Sequence, residues 1–182
     1  MRRIERRAPA PGGKVCAFTG HRPSKYPFLA APESEEYRRL WQLLRDKVGK
    51  AVRDGYTHFL CGGALGADTM AALLLIEERA MNPLLTLEVV LPCPEQSKYW
   101  RDKDARLHAE ICEKADVLTC VSSAYTPFCM LERNRYMVEN STRLIAVYDG
   151  TPGGTFNTLK TALDKGIETE IIDPRSLTKE RL

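Results

Sequence analysis

Short apolar runs alternate along this chain with longer segments in which apolar residues recur every three or four positions. The runs have the length of strands, and the longer segments have the period of amphipathic helices. Strands are predicted at residues 15–19, 57–61, 84–91, 116–122, 143–148 and 168–172, and helices at residues 34–53, 66–80, 97–114, 129–141 and 153–165. Regular alternation of this kind predicts an α/β fold.

The predicted strands are nearly continuous runs of apolar residues and do not alternate between apolar and polar side chains. Strands of that kind are buried on both faces, which is typical of a mostly parallel sheet covered by helices on each side. Right-handed crossovers place every strand-to-helix loop at one edge of such a sheet, and ligands bind there, where the winding reverses. The loops of interest are therefore residues 20–24, 62–68, 92–96, 122–129 and 149–155.

A chain of 182 residues with 43% hydrophobic content is long enough to bury one substantial core. We expect a single domain over residues 14–175, between a flexible basic tail at residues 1–13 and a short C-terminal tail at residues 176–182. The N-terminal tail holds four arginines and then four residues that do not extend a helix: Arg2, Arg3, Arg6, Arg7, Pro9, Pro11, Gly12 and Gly13.

Composition narrows the classes of partner and location. The formal net charge is only +3, from 27 basic and 24 acidic residues, so nucleic acid is not expected as a partner. No apolar run is long enough to span a bilayer and no secretion signal opens the sequence, so no membrane partner is expected. The six cysteines include no C-x-x-C pair and no zinc-type spacing to a histidine, so no metal site is expected. Cys16, Cys61 and Cys120 lie in apolar strands and suit a reduced, cytoplasmic protein.

The sharpest local feature is a glycine-rich turn between the second predicted strand and its helix, with Gly62, Gly63, Gly66 and Asp68. Glycines let backbone N–H groups approach a ligand, and a helix start has unsatisfied donors that attract anions. The spacing is neither that of the P-loop nor G-x-G-x-x-G. The alternative is a tight connection in which Asp68 only complements the helix dipole.

A second cluster, Thr19, Gly20, His21 and Arg22, directly follows the first predicted strand. A guanidinium at this position is suited to clamp a phosphate through two parallel hydrogen bonds. The alternative is that His21 caps or packs the turn while Arg22 is solvated.

A third cluster, Gly153, Gly154 and Thr155, opens the last predicted helix and again offers backbone donors and a hydroxyl to an anion. An ordinary β-turn is the alternative. Arg133 in the preceding helix and Glu95 at a strand end complete the candidate ligand-binding set, although such charges are often only solvated surface residues. No catalytic residue is assigned.

Five segments follow the predicted strands or lie in the predicted helices: TGHRP, CGGALGAD, VLPCPEQ, RNRYMVENS and YDGTPGGT. They resemble the SLOG superfamily, most closely its YpsA-like branch, over residues 15–172. The resemblance implies a Rossmann-like three-layer sandwich with a mostly parallel sheet that binds nucleotides or nucleotide-derived ligands. Its relatives include cytokinin-activating phosphoribohydrolases and the DNA-processing protein that loads recombinase on single strands. The superfamily's ligand contacts would fall on the three glycine-containing clusters.

One departure from those hydrolases concerns the segment that opens the last helix. They carry P-G-G-x-G-T-x-x-E, whereas Phe156 stands here in place of the third glycine and Lys160 in place of the glutamate. Hydrolysis of a glycosidic bond needs a carboxylate. The chemistry therefore lacks its usual acid unless Asp68, Glu95 or Glu132 replaces it.

Three functions are consistent with these patterns. The leading one is binding or sensing of a nucleotide-derived small molecule, with no cofactor certain beyond such a nucleotide-like ligand. The second is a nucleoside monophosphate phosphoribohydrolase or other N-glycosidase that uses Asp68 or Glu95 with Arg22 and Arg133. The third is single-stranded DNA binding of the DNA-processing type. A homodimer is an open alternative, for which an exposed aromatic such as Trp41 would be a marker.

Overall fold

The computed structural model describes residues 1–177. The strands are β1 (Arg2–Glu5), β2 (Lys14–Gly20), β3 (Tyr56–Cys61), β4 (Thr86–Leu91), β5 (Val117–Cys120), β6 (Arg143–Val147) and β7 (Glu168–Ile172). The helices are α1 (Glu35–Arg53), α2 (Ala67–Met81), α3 (Asp102–Lys114), α4 (Cys129–Glu139) and α5 (Gly154–Asp164). Two short 3-10 turns lie at Pro27–Ala30 and Pro174–Leu177.

The strands form one sheet in the order β1-β5-β4-β3-β2-β6-β7, in which every pair is parallel except β1 with β5. One apolar core joins the sheet to α1, α2 and α3, and a second joins the opposite face to α4 and α5. The sequence-based prediction of a Rossmann-like three-layer sandwich with a mostly parallel sheet is confirmed.

The sheet reverses its winding beside β2. From β2 the chain proceeds outward through β3, β4 and β5, and then returns to place β6 on the other side of β2. The carboxyl ends of these two neighbours lie level, since Gly20 pairs with Val147. This is the point at which open α/β sheets form a ligand crevice.

The predicted flexible tail is wrong for its first residues, because Arg2–Glu5 pairs antiparallel with β5 as an edge strand. Two arginines then tie this segment to the domain. Arg6 Nη1 donates to the carbonyls of Cys112 and Ala115 at the end of α3, at 3.1 and 3.0 Å. Arg7 Nε donates to Asp116 Oδ1 at 2.8 Å. The sequence of this segment is too charged to indicate a strand, and contacts with β5, α3 and Asp116 hold it in place.

Other boundaries also differ from the prediction. Residues 97–101 form turns, such as Trp100 N–H to the Ser97 carbonyl at 3.0 Å, and α3 begins only at Asp102, where two early acids favour a helix start. At the C-terminus, Leu177 is buried and does not belong to a free tail. The rest of the predicted C-terminal tail, residues 178–182, lies outside the described residues.

The helices bear on two expectations from the sequence, which concern a membrane span and the exposure of Trp41. Within residues 1–177, no helix is both long enough and apolar enough to cross a membrane. Trp41 is half-buried and stacks on Tyr37 with ring centroids 6.1 Å apart, so it packs with its own helix.

Candidate functional site

A cavity of about 330 Å³ opens at the winding reversal, above the carboxyl end of β2 and between α4 and the start of α5. Its wall combines a cationic and hydroxyl-bearing rim with an apolar interior. The lining residues are Phe18, Thr19, Gly20, His21, Arg22, Ser24, Lys25, Ala64, Asp68, Met130, Arg133, Asn134, Met137, Gly154, Thr155 and Thr158.

The loop after β2 is anchored to the loop after β6 by a buried carboxylate. Asp149 accepts hydrogen bonds from His21 Nε2 at 2.8 Å, Tyr26 Oη at 2.8 Å and the Thr151 backbone N–H at 3.0 Å. Lys25 Nζ lies 2.8 Å from its Oδ2 atom. Burial on its own would raise the pKa of Asp149, but the hydrogen bonds from Lys25 and Thr151 outweigh it and hold that pKa far below its usual range. Asp149 is therefore a charged anchor that fixes one wall of the cavity.

His21 is buried in the same cluster of side chains. Burial lowers its pKa, and the hydrogen bond to Asp149 opposes this shift only in part. Its ring packs between Tyr26 and Tyr148, with centroid distances of 5.6 and 5.8 Å. His21 therefore packs the turn, as the alternative prediction has it, and it also lines the cavity.

The rim of the cavity has donors that the described part of the protein does not use. Arg22 is exposed, and its guanidinium makes no hydrogen bond within residues 1–177. The backbone N–H groups of Gly154 and Thr155, at the start of α5, also lack an acceptor there, since the first bond of this helix is Asn157 N–H to the Gly153 carbonyl at 3.0 Å. A helix start of this kind attracts anions.

The glycine-rich turn before α2 is closed by the protein itself. Asp68 Oδ2 accepts the Ala64 N–H at 3.3 Å, and the Ala67 N–H donates to the His21 carbonyl at 3.2 Å. The buried Asp68 carboxyl has a raised pKa because desolvation outweighs the attraction of Arg133. These two amides have internal acceptors and are not available to an anion.

Arg133 crosses from α4 to this turn and is buried beside the cavity. Its Nη1 donates to the Gly62 carbonyl and lies 3.6 Å from Asp68 Oδ2, while its Nε donates to Asn134 Oδ1 at 2.7 Å. Its Nη2 has no acceptor in the described range. A buried guanidinium with one unused nitrogen in a cavity wall is a candidate ligand contact.

Most of the predicted site residues meet in this cavity: Thr19, Gly20, His21, Arg22, Asp68, Arg133, Gly154 and Thr155. The two turns also contain predicted residues that are not part of the cavity lining: Gly62, Gly63, Gly66 and Gly153. Glu95 is exposed and does not line the cavity; its neighbour Gln96 instead reaches the Gly62 carbonyl, with Nε2 at 3.3 Å.

Sequence reasoning missed several lining residues. Met130, Met137 and Thr158 appear in the sequence as ordinary helix positions, and only the packing of α4 against α5 brings them to the cavity. Lys25, which lines the cavity, could have been found with its partner Asp149, because both lie in strand-end loops that meet at the winding reversal.

The geometry defines an α/β protein with a Rossmann-like crevice. The chain matches the YpsA family, described as the YspA SLOG family, over residues 16–182, and it belongs to that family.

Its relatives include a UPF0398 protein of Bacillus pumilus (strain SAFR-032), 26% identical over 78% of this chain and 77% of that protein. An SPbeta prophage-derived protein of Bacillus subtilis (strain 168), YoqJ, is 28% identical over 65% of this chain and 80% of its own length.

Two solved structures have a similar fold. DNA processing protein A from Helicobacter pylori, described with a single-stranded DNA binding mode, has a TM-score of 0.58 at 18% identity. DNA processing protein A from Streptococcus pneumoniae has a TM-score of 0.57 at 15% identity. The chain covers 65% and 57% of those two proteins, which cover 88% and 93% of it. The likeness shows the fold.

Proposed function

We propose that the cavity binds a small, phosphate-bearing ligand derived from a nucleotide, in a binding or sensing role. The observation that carries the proposal is that one cavity is lined both by the unused N–H groups of Gly154 and Thr155 and by the free guanidinium of Arg22. The nearby carboxylates do not oppose an anion strongly, because Asp149 is paired with Lys25 and Asp68 with Arg133.

Calorimetry tests this proposal with AMP, cyclic nucleotides, NAD and ADP-ribose. We expect at least one of them to bind, and Arg22→Ala to weaken that binding by about tenfold, the value of one charge-assisted hydrogen bond. The matched control is Arg53→Ala, which removes an exposed arginine at the C-terminal end of α1, the opposite edge of the sheet. No binding at millimolar concentration, or equal losses in both variants, would count against the proposal.

A second candidate is an N-glycosidase in which Asp68 replaces the carboxylate absent at Lys160. A buried carboxyl with a raised pKa beside an anion site supports it, because general acids are tuned in this way. Release of free base from AMP, lost in Asp68→Asn while the melting temperature is kept, would favour hydrolysis over binding alone.

Single-stranded DNA binding is a weaker candidate, suggested by the printed description of the Helicobacter pylori structure. Two arginines near the N-terminus already have partners within the protein, since Arg6 bonds to the end of α3 and Arg7 to Asp116. A steep loss of oligonucleotide affinity with added salt would support this candidate. We keep the cytoplasm as the proposed location, because the six free cysteines suit a reducing compartment.

A further inference from the structure

The two edge strands of the sheet differ in the residues that they present. β1 has the sequence RRIE, in which every residue is exposed and only the isoleucine is uncharged. Charges of this kind discourage the addition of another strand. At the other edge β7 pairs with β6, and within residues 1–177 no strand lies against its outer side. The β7 edge is therefore the one to examine as a docking surface.

The open side of β7 presents the backbone groups of Thr169 and Ile171. The Tyr148 N–H donates to the Ile172 carbonyl at 3.0 Å, so the backbone groups of Ile172 point towards β6. These groups alternate in direction along a strand, and those of Thr169 and Ile171 consequently point outward. The N–H and carbonyl groups of these two residues are placed to bond to an added strand.

The acidic side chains of β7 are neutralised within the protein. Glu170 Oε2 lies 2.8 Å from Lys47 Nζ of α1, and Glu168 Oε2 lies 2.8 Å from Arg143 Nη2 of β6. Their charges therefore protect this edge less than the exposed charges of β1 protect the other. The contact with Lys47 also shows that Glu170 faces α1, so its neighbour Ile171 faces α5, because successive side chains point to opposite faces.

Exposed apolar side chains accompany the open edge on its α5 side. Ile171 is 49% exposed, and Phe156 and Leu163 of α5 are 40% and 56% exposed. Phe156 and Leu163 are seven positions apart and share one side of the helix. The groove between α4 and α5 is lined from α5 by Asn157 and Thr161, which lie on a different side. Phe156, Leu163 and Ile171 thus form an apolar edge patch that α4 does not cover.

The sequence of β7 favours one register with a second copy of itself. In a twofold antiparallel pair, one residue lies opposite its own copy. A centre at Glu168 or Glu170 puts that acid opposite itself, and a centre at Thr169 puts Glu168 opposite Glu170. A centre at Ile171 instead puts Ile171 opposite Ile171 and Glu170 opposite Ile172. Like charges directly opposite each other destabilise a sheet and apolar pairs stabilise it, so the charges select Ile171 over the three earlier centres.

We propose that β7 pairs antiparallel with β7 of a second copy of this chain, about a twofold axis through Ile171, and so forms a homodimer with a continuous sheet. The two Ile171 residues exchange backbone hydrogen bonds, and the edge patches of the two chains come together beside them. An isologous interface of this kind closes on itself and leaves neither β7 edge open. The proposal does not depend on the ligand of the cavity.

Sedimentation equilibrium of the full chain tests the association. We expect a mass twice that of the chain at about 100 µM, a high concentration chosen because a small interface binds weakly. Ile171→Lys places two cations opposite each other at the axis and should raise the dissociation constant by about tenfold or more. The matched control is Met81→Lys, which makes the same change at an exposed apolar residue at the end of α2 and should leave the dissociation constant unchanged.

Cysteine variants test the register. Ile171→Cys brings two residues opposite each other with Cα atoms about 5.5 Å apart, within reach of a disulfide. Oxidised glutathione should therefore link the two chains, and it is itself reduced to two thiols. Thr169→Cys separates the two positions by about 14 Å and should give no more linked product than the unmodified protein.

Three outcomes would overturn the proposal. The first is a monomer at the stated concentration, and the second is a dimer that Ile171→Lys weakens no more than Met81→Lys does. The third is linkage of Thr169→Cys as efficient as that of Ile171→Cys. The cysteine variants decide the register even where Ile171→Lys lowers the melting temperature.

Discussion

The two glycine-rich turns at the ligand edge of the sheet look alike in sequence but differ in the structure. At the turn before α2, a Cβ on Gly62 would overlap the Arg133 guanidinium, and a Cβ on Gly66 would lie 2.6 Å from the His21 carbonyl. At the turn before α5, a Cβ on Gly153 or Gly154 would meet no atom within 4 Å. Glycine in the first turn serves internal packing, whereas glycine in the second leaves the approach to the cavity open.

The largest effect is expected from a substitution that removes the buried ion pair of the turn before α2. Arg133→Met leaves the Asp68 carboxyl buried without its cation, and we expect a loss of about 3 kcal/mol in unfolding free energy at pH 7. The raised pKa of Asp68 sets the sign of the pH dependence: the loss grows as pH rises through that pKa and fades below about pH 4, where both states are protonated. Urea unfolding of Arg133→Met alone and with Asp68→Asn measures it; a loss under 1 kcal/mol, or no recovery in the double variant, would contradict the closed-turn description.

The next effect concerns the backbone of the same turn. Gly66 has φ +96°, a conformation that side chains with a Cβ rarely adopt, and the His21 carbonyl leaves no room for a methyl group. We expect Gly66→Ala to cost about 2 kcal/mol of stability, measured by chemical denaturation. Wild-type stability in this variant would mean that the turn before α2 is as open as the other.

A smaller effect tests the anchor beside the open turn. Asp149→Asn keeps the shape but removes the charge that holds Lys25 and His21, and we expect a loss of about 1–2 kcal/mol at pH 7. Because the pKa of Asp149 is depressed on folding, its contribution is present above about pH 4 and is lost as pH falls through the folded value. The stability difference between wild type and variant should therefore shrink in acid; a difference that is constant from pH 7 to pH 3 would exclude this anchoring role.

The smallest stability effect is expected where the open turn lines the cavity. Gly154→Ala should change unfolding free energy by no more than about 0.5 kcal/mol, since its added methyl group meets no protein atom. The same methyl group enters the cavity wall, so affinity for a bound nucleotide should fall by about threefold or more, a modest steric loss for a single methyl group at a contact. Calorimetry measures the affinity, and a melting curve measures the stability. A stability loss as large as that of Gly66→Ala would mean that the two turns do not differ.

Sequence patterns predicted the alternating elements, the parallel sheet and eight of the thirteen proposed site residues as cavity lining. They could not distinguish the two glycine turns, because the difference depends on which atoms approach each glycine from elsewhere in the fold. Arg133 closes the first turn from a helix 71 residues away in sequence, and no local signal records that contact. The apolar lining by Met130 and Met137 is likewise a result of packing between α4 and α5.

The short strand at the start of the chain has a consequence for handling this protein. By pairing with β5, Arg2–Glu5 covers backbone hydrogen-bonding groups that would otherwise form a bare sheet edge. Exposed edges recruit strands from other molecules, and charged residues on the covering strand discourage such recruitment. Trimming the first seven residues should therefore promote self-association through β5 in preference to unfolding, so a fusion tag at this end is best joined through a linker that leaves the pairing intact.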